Sequence, residues 1–415
     1  MTIAASLSAF AENPPKAAAL PTEFFARLEA AKTPAAQDAV IRSVTPKITG
    51  AVLRKQLLQR AYQLSLSGDY LAAAADCDLV LRLGGDEKEA AAAEVELSFV
   101  LRESGNSPAA LAAIDKAVTF YEAHSNYQSG LLSAYETRGL LYLWQSDFAR
   151  ALQSLNRGLS LAEKIKDRAG IIPALNDIGE VYRTQGEPER ALEFYQRARD
   201  AAGDDNAWNM AFIFDNIGMS YSAMGDLDQA IENINRARAV AEKAGMKPRV
   251  AAALTVLGDL ESKRGHLDAG RKFYEQSLTL ARQIRDISVE TKALLGMAQV
   301  ALTQGDAAAA LEQADESAKL ARQVAELGQV VPALSLGGRA LVALGRDDEA
   351  RGAFTEAITD VETMRDLVAG GDVERETFFA HEIEPYHEMI RLLVRQNRPE
   401  EALAMAERAS ARVLL

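Results

Sequence analysis

A short turn, followed five residues later by a small residue, recurs along the chain, and its spacing limits the fold more than any other feature. It reads Gly68-Asp69-Tyr70 with Ala73, Gly105-Asn106-Ser107 with Ala110, Ser146-Asp147-Phe148 with Ala151, and Gly186-Glu187-Pro188 with Ala191. It continues as Gly225-Asp226-Leu227 with Ala230, Gly265-His266-Leu267 with Gly270, and Gly305-Asp306 with Ala310. Gly345-Arg346-Asp347 with Ala350 and Asn397-Arg398-Pro399 with Ala402 complete the series. Successive turns lie 37, 41, 40, 39, 40, 40, 40 and 52 residues apart. Seven residues before the turn sits a small residue (Gly139, Gly179, Gly218, Gly258, Ala298, Gly338). Nine residues past it comes a bulky apolar one in most repeats (Leu155, Tyr195, Ile234, Tyr274, Phe354).

Packing accounts for this pattern. Two antiparallel helices joined by a tight turn approach closely only where small residues sit at the crossing of the backbones. The turn glycine accepts the left-handed conformation that ends the first helix, and the polar residue after it is placed to cap the second. Each hairpin then exposes an apolar face that only the next hairpin covers. The expected fold is all-α, a solenoid of about eight to nine such hairpins.

These spacings resemble the tetratricopeptide repeat (TPR) family, in a version of about 40 residues per repeat. The resemblance covers roughly residues 50–365 and implies a right-handed superhelix whose first helices line a concave groove. The closing proline of the family pattern is absent, and the stretch after each second helix, such as Leu161-Ala162-Glu163-Lys164-Ile165-Lys166-Asp167, is longer. Glu261 stands where several repeats carry a tyrosine (Tyr142, Tyr182, Tyr221). By family phase the inward positions of the first helices include Glu136, Asn176, Glu180, Arg183, Asp215, Met219, Asp259, Lys263 and Arg339. Their acids outnumber their bases, which implies a peptide or protein ligand of basic character, and the Asn176 amide is suited to clamping a peptide backbone. Asp215 and Asp259 are read as groove residues outside the packing positions, so their replacement is expected to leave the fold intact.

The domain reading is a leader with short helices over 1–48, the array over 49–365, and an interrupted final hairpin over 366–415. The last interval contains Ala369-Gly370-Gly371-Asp372, then Arg375-Glu376-Thr377-Phe378-Phe379 and Pro385-Tyr386, and the chain closes on Ala406-Glu407-Arg408-Ala409-Ser410-Ala411-Arg412-Val413-Leu414-Leu415. This tail resembles the segment that leads into a CHAT domain, a caspase-like cysteine peptidase fold found after TPR arrays. The resemblance implies a peptidase domain beyond residue 415.

Composition narrows the function further. The net charge is -13, with 59 acidic against 46 basic residues, and no concentrated basic surface of the kind that phosphate binding requires is present. Cys77 is the sole cysteine, too few for an intrachain disulfide, a zinc knuckle or a redox pair. It lies in an apolar helical stretch and reads as a buried thiol. His381-Glu382 and His387-Glu388 have a spacing of six, whereas a zinc helix needs histidines at i and i+4. Pro385 falls between them and is expected to interrupt the helix. No phosphate-binding glycine loop occurs, and no cofactor, metal or catalytic centre is expected in this chain.

Residues 2–11 are uncharged and end in Ala9-Phe10-Ala11, the form of a signal cleavage site but without the basic segment that precedes one. A leader before Asn13-Pro14-Pro15 and a cytoplasmic location are expected, with a periplasmic or secreted one if residues 1–11 are the remnant of a signal peptide. Three functions remain in view. The first is a scaffold that binds a peptide or protein in its groove, as the regulatory or targeting region of a CHAT-type protein. The second is a substrate-recognition arm of that peptidase. The third is a structural oligomerisation module.

Overall fold

The computed structural model describes residues 22–414 apart from 32, 45–49, 67–68, 104–105, 204–205, 325–326 and 368–382. The leader, Gly68, Gly105, Gly370 and Gly371, the motif at 375–379, His381 and Leu415 lie outside the described residues.

Among the described residues every regular element is a helix, and the helices alternate with the turns found in the sequence. The chain forms two compact units, residues 1–181 and 182–415. The first opens with Thr22–Ala30 and Pro34–Val44. Three hairpins follow: Gly50–Leu66 with Tyr70–Leu83, Glu87–Glu103 with Ser107–Ala123, and Gln128–Trp144 with Phe148–Ile165. Helix Arg168–Thr184 carries the boundary, and its hairpin closes with Pro188–Ala202. The second unit continues with Ala207–Ala223 and Leu227–Lys243, Lys247–Lys263 and Leu267–Ile284, and Ile287–Thr303 and Ala307–Gln323. Leu327–Ala343 with Asp347–Leu367 and Glu384–Arg395 with Pro399–Leu414 complete it. The fold is an α-solenoid of helical hairpins.

The turns work by the backbone logic expected of them. Gly186, Gly225, Gly265, Gly305 and Gly345 have φ between 74° and 85°, and Ser146 and Asn397 take the same left-handed region at 58° and 55°. Asp147, Asp226 and Asp306 then cap the second helices, each accepting at 3.1 Å from the N–H three residues on. Glu187 and His266 make no such bond, so capping is a feature of some repeats only. The long stretch at 161–167 is accounted for by the second helix, which runs to Ile165 before Lys166 turns it in the left-handed region. The repeat is long because its second helix is long.

The crossings are close. A Cβ on Gly139 would stand 2.6 Å from Leu155, one on Gly218 2.7 Å from Ile234, and one on Gly258 2.6 Å from Tyr274. Gly338 receives the ring of Phe354 in the same way. Where the bulky residue shrinks to Ala314, the small residue becomes Ala298 and Leu336 of the next hairpin fills the gap. Ile234 packs onward against Leu257 and Ala253 of the following hairpin, so each hairpin covers its neighbour.

Candidate functional site

Within each unit first helices of successive hairpins pack against one another, as Glu87–Glu103 does with Gln128–Trp144 and Lys247–Lys263 with Ile287–Thr303, and the nine candidate groove residues all lie on first helices. Their surroundings differ. In the first unit Glu136, Asn176 and Glu180 are half-buried. Glu136 Oε1 is buried without a hydrogen-bond partner among the described residues. Burial, reinforced by the buried Asp177 carboxylate, holds the Glu136 carboxyl well above its ordinary range.

In the second unit Asp215 forms an ion pair with Arg249 of the next hairpin, each side chain only 20% exposed. Burial pushes Asp215 up to about 6 against the opposing pull of Arg249, and burial likewise lowers the Arg249 guanidinium. That guanidinium stacks 3.7 Å over the Phe212 ring, and Trp208 lies 5.3 Å from Phe212 on the other part of the helix face. Asp215 therefore does hold a packing role. The expectation that its replacement is harmless to the fold is corrected, because removing either member leaves a buried charge uncompensated.

The remaining candidates are more open. Met219 is 40% exposed, and Asp259 and Lys263 face solvent. Asp259 Oδ1 accepts a 2.6 Å hydrogen bond from the Tyr274 hydroxyl, whose ring fills the crossing at Gly258. Arg183 is half-buried. Arg339 reaches in both directions, donating from Nη1 to Gln299 at 3.3 Å and lying 3.8 Å from Glu388.

Asp177, Arg249, Trp208 and Phe212 escaped the repeat phase. For the last two the signal was present: Trp208, Phe212, Asp215 and Met219 follow one another at i, i+4, i+7 and i+11, a single helix face. Asp177 adjoins Asn176 but is turned inward, 2% exposed.

Other chemistry-bearing residues are structurally engaged. His124 stacks on Phe120 at 4.3 Å, and His266 lies 2.8 Å from a Glu261 carboxylate oxygen, which gives a role to the residue that replaces the repeat tyrosine. Pro385 stands in the first turn of Glu384–Arg395, so the helix that carries His387 starts there and does not run back through Ile383. Cys77 is buried, and burial raises its thiol well above the ordinary value. Among the described residues no group of three or more His, Cys, Asp or Glu is placed to hold a metal ion. No helix among them is long and apolar enough to cross a membrane.

The hairpin geometry agrees with comparisons to known proteins. The chain belongs to the MalT-like TPR region family, whose model matches residues 172–412, more than half of its length. A tetratricopeptide repeat model also matches residues 130–204. The photosystem I assembly protein Ycf3 of Synechococcus sp. (strain CC9311) is 32% identical over 111 residues. That match takes in 26% of this chain and 57% of the relative, so the chain spans little more than half the length of this curated relative. Among solved structures, a Rap protein complexed with competence and sporulation factor superposes with a TM-score of 0.58 at 13% identity, over 88% of this chain and 99% of that one. The apo form of the quorum sensor NprR from B. thuringiensis gives 0.51 at 16% identity, over 86% of this chain and 98% of that one. At these identities the two structures show the fold alone.

Proposed function

We propose that the chain is a binding scaffold which docks a peptide or protein segment on the face of its first helices. One observation carries this reading: in the second unit Trp208 and Met219 remain 49% and 40% exposed on that face, with the open carboxylate of Asp259 and the ammonium of Lys263 beside them on the next first helix. Large apolar groups gathered in this way beside charges are a recognition surface. The likeness to a Rap protein solved with competence and sporulation factor supports it. Glu136, Asn176 and Glu180 serve the corresponding face of the first unit, with Arg183 and Arg339 on that of the second. The ligand is basic in character, matching the acid excess of the chain, and no cofactor takes part.

The resemblance of residues 375–415 to the segment before a CHAT domain favours a second reading. In it the array regulates or targets a caspase-like peptidase, or recognises its substrates, in the cytoplasm. Immobilised chain, used to capture partners and then to probe overlapping peptides of each, tests the main proposal. A short segment of one partner is expected to suffice, to bind more weakly as salt rises, and to be lost on Trp208→Ala. An acidic segment, or one that cross-links only to second helices, would refute it.

A further inference from the structure

We propose that the hairpin of Glu384–Arg395 and Pro399–Leu414 is a self-association surface, on which a second copy of this chain docks by the same face. Two apolar side chains mark it: Val394 and Leu403 are 62% and 61% exposed. Their counterparts in earlier hairpins are covered. Leu302 and Val342 hold the place of Val394, three residues before the left-handed turn residue, and Ile231 and Leu311 hold that of Leu403. Leu302 packs in clusters with Leu336 and Ala340 of the following hairpin, and Val342 in one with Tyr386 and Met389. Ile231 packs in the same way with Ala253 and Leu257. The face that each of these hairpins turns to its successor is thus open on this one, among the described residues.

Its charges identify the occupant. Arg391 stands in the place of Arg339, which lies 3.8 Å from Glu388 of the following hairpin. Glu400 stands in the place of Asp228, which pairs at 2.8 Å with Arg264 of the following hairpin. Glu407 stands in the place of Asp315, which a Cβ on Gly337 of the following hairpin would meet at 3.6 Å. The open face therefore carries a cation near Val394 on its first helix and two carboxylates flanking Leu403 on its second. Arg391 pairs with Glu388 of its own helix at 2.7 Å, but its side chain is 65% exposed, and an exposed pair of this kind has little weight. It can turn outward without stranding Glu388, which keeps Arg339.

The hairpin geometry fixes how two such faces meet. Gly338 is level with Phe354 across its hairpin. The same offset sets Arg391 level with the stretch between Leu403 and Glu407, and Val394 with that between Glu400 and Leu403. A two-fold axis along the helices lays the first helix of one copy on the second helix of the other. Arg391 then meets Glu407 and Val394 meets Leu403, each contact made twice. An axis across the helices would set Arg391 on Arg391 and Glu407 on Glu407, which like-charge repulsion disfavours. The opening hairpin of another copy does not fit this face. Phe24, Leu28, Val40 and Ile41 of the two short helices already pack with Leu53 and Leu57 there, and leave the exposed Glu23 and Arg27 outside, as a polar cap does.

Sedimentation equilibrium of the full chain should show a monomer–dimer equilibrium. Val394→Ser and Leu403→Ser should each raise its dissociation constant roughly tenfold or more, and both should melt as the parent does because the side chains are exposed. Arg391→Glu and Glu407→Arg should each weaken the dimer, and the chain that carries both should recover it. With Cys77 buried, a mixture of Val394→Cys and Leu403→Cys chains should form the mixed disulfide ahead of either symmetric one. A chain that stays monomeric at every concentration would overturn the proposal. So would a dimer indifferent to Leu403→Ser, a double charge reversal no better than the single ones, or symmetric disulfides ahead of the mixed one. Ligand capture by the first helices is a separate property, and each of these results leaves it standing.

Discussion

Glu136 and Asp215 occupy the same place in their repeats, three residues before the glycine of the hairpin crossing, yet they meet opposite neighbours. Glu136 faces the buried carboxylate of Asp177, whereas Asp215 faces the guanidinium of Arg249. Burial raises both carboxyls above their ordinary values, so the repeat dictates partial burial at this place. What it does not dictate is how the charge is met. In the first unit no ion pair to Glu136 is formed among the described residues, whereas in the second a cation is drawn from the next first helix.

The largest effect is expected where the compensation is removed. Arg249→Ala strands Asp215 and uncovers Phe212, and should cost about 3–5 kcal/mol in urea unfolding monitored in the second unit. A cost below about 1 kcal/mol would mean that the two junctions do not differ in the way described. Steric change offers a scale for comparison. Gly218→Leu drives a side chain into Ile234, and Ala191→Leu overfills a fully buried position, each at about 1–3 kcal/mol by differential scanning calorimetry. Melting unchanged by both would remove the crossings from the account of stability.

At the uncompensated junction the sign reverses. Glu136→Gln should stabilise the first unit at pH 7, because glutamine carries no charge to bury. A carboxyl whose folded value lies above its unfolded value near 4.3 binds its proton more tightly when folded. Its favourable contribution is thus complete below about pH 4 and is lost as pH rises through the folded value. The advantage of glutamine should accordingly vanish towards pH 4 and grow with pH; a pH-independent difference in denaturation midpoint would contradict the burial argument. The smallest effect is a shift in one titration. The Asp215 carboxyl carbon, followed by NMR, should titrate near 6 in the parent and higher in Arg249→Met, because the guanidinium is what opposes burial there. A midpoint that falls on losing Arg249 would show that the pair is not formed.

Much of the fold is legible from local chemistry. The left-handed turn residues Gly225 and Gly265, and even Ser146 and Asn397, sit where a helix must stop within one residue. Gly218 and Ile234 announce their contact because the two positions recur together from repeat to repeat. The site is less legible for the same reason. Arg249 meets Asp215 across 34 residues, a distance that is not the repeat period, and Thr255, which holds the place of Asp215 in the next repeat, carries no charge. Phase alone therefore grouped the two aspartates as equals, although Asp215 is committed to packing and Asp259 opens to solvent. Asp177 was hidden by its neighbour Asn176, since phase distinguishes helix faces no more finely than one residue.

The ring of Tyr274 lies against Gly258 of its own hairpin and also against Gly296 of the next. Residues in the place of Gly296 elsewhere are Thr137, Asp177, Asn216, Val256 and Leu336, each of them larger than glycine. A loss of one period that joined the Leu267–Ile284 helix directly to Leu327–Ala343 would set Tyr274 against Leu336. Repeats that arose as copies have in this way become individuals. The hairpin that follows Tyr274 is therefore not interchangeable with the one after it, since exchange would put a leucine where a glycine now receives the ring.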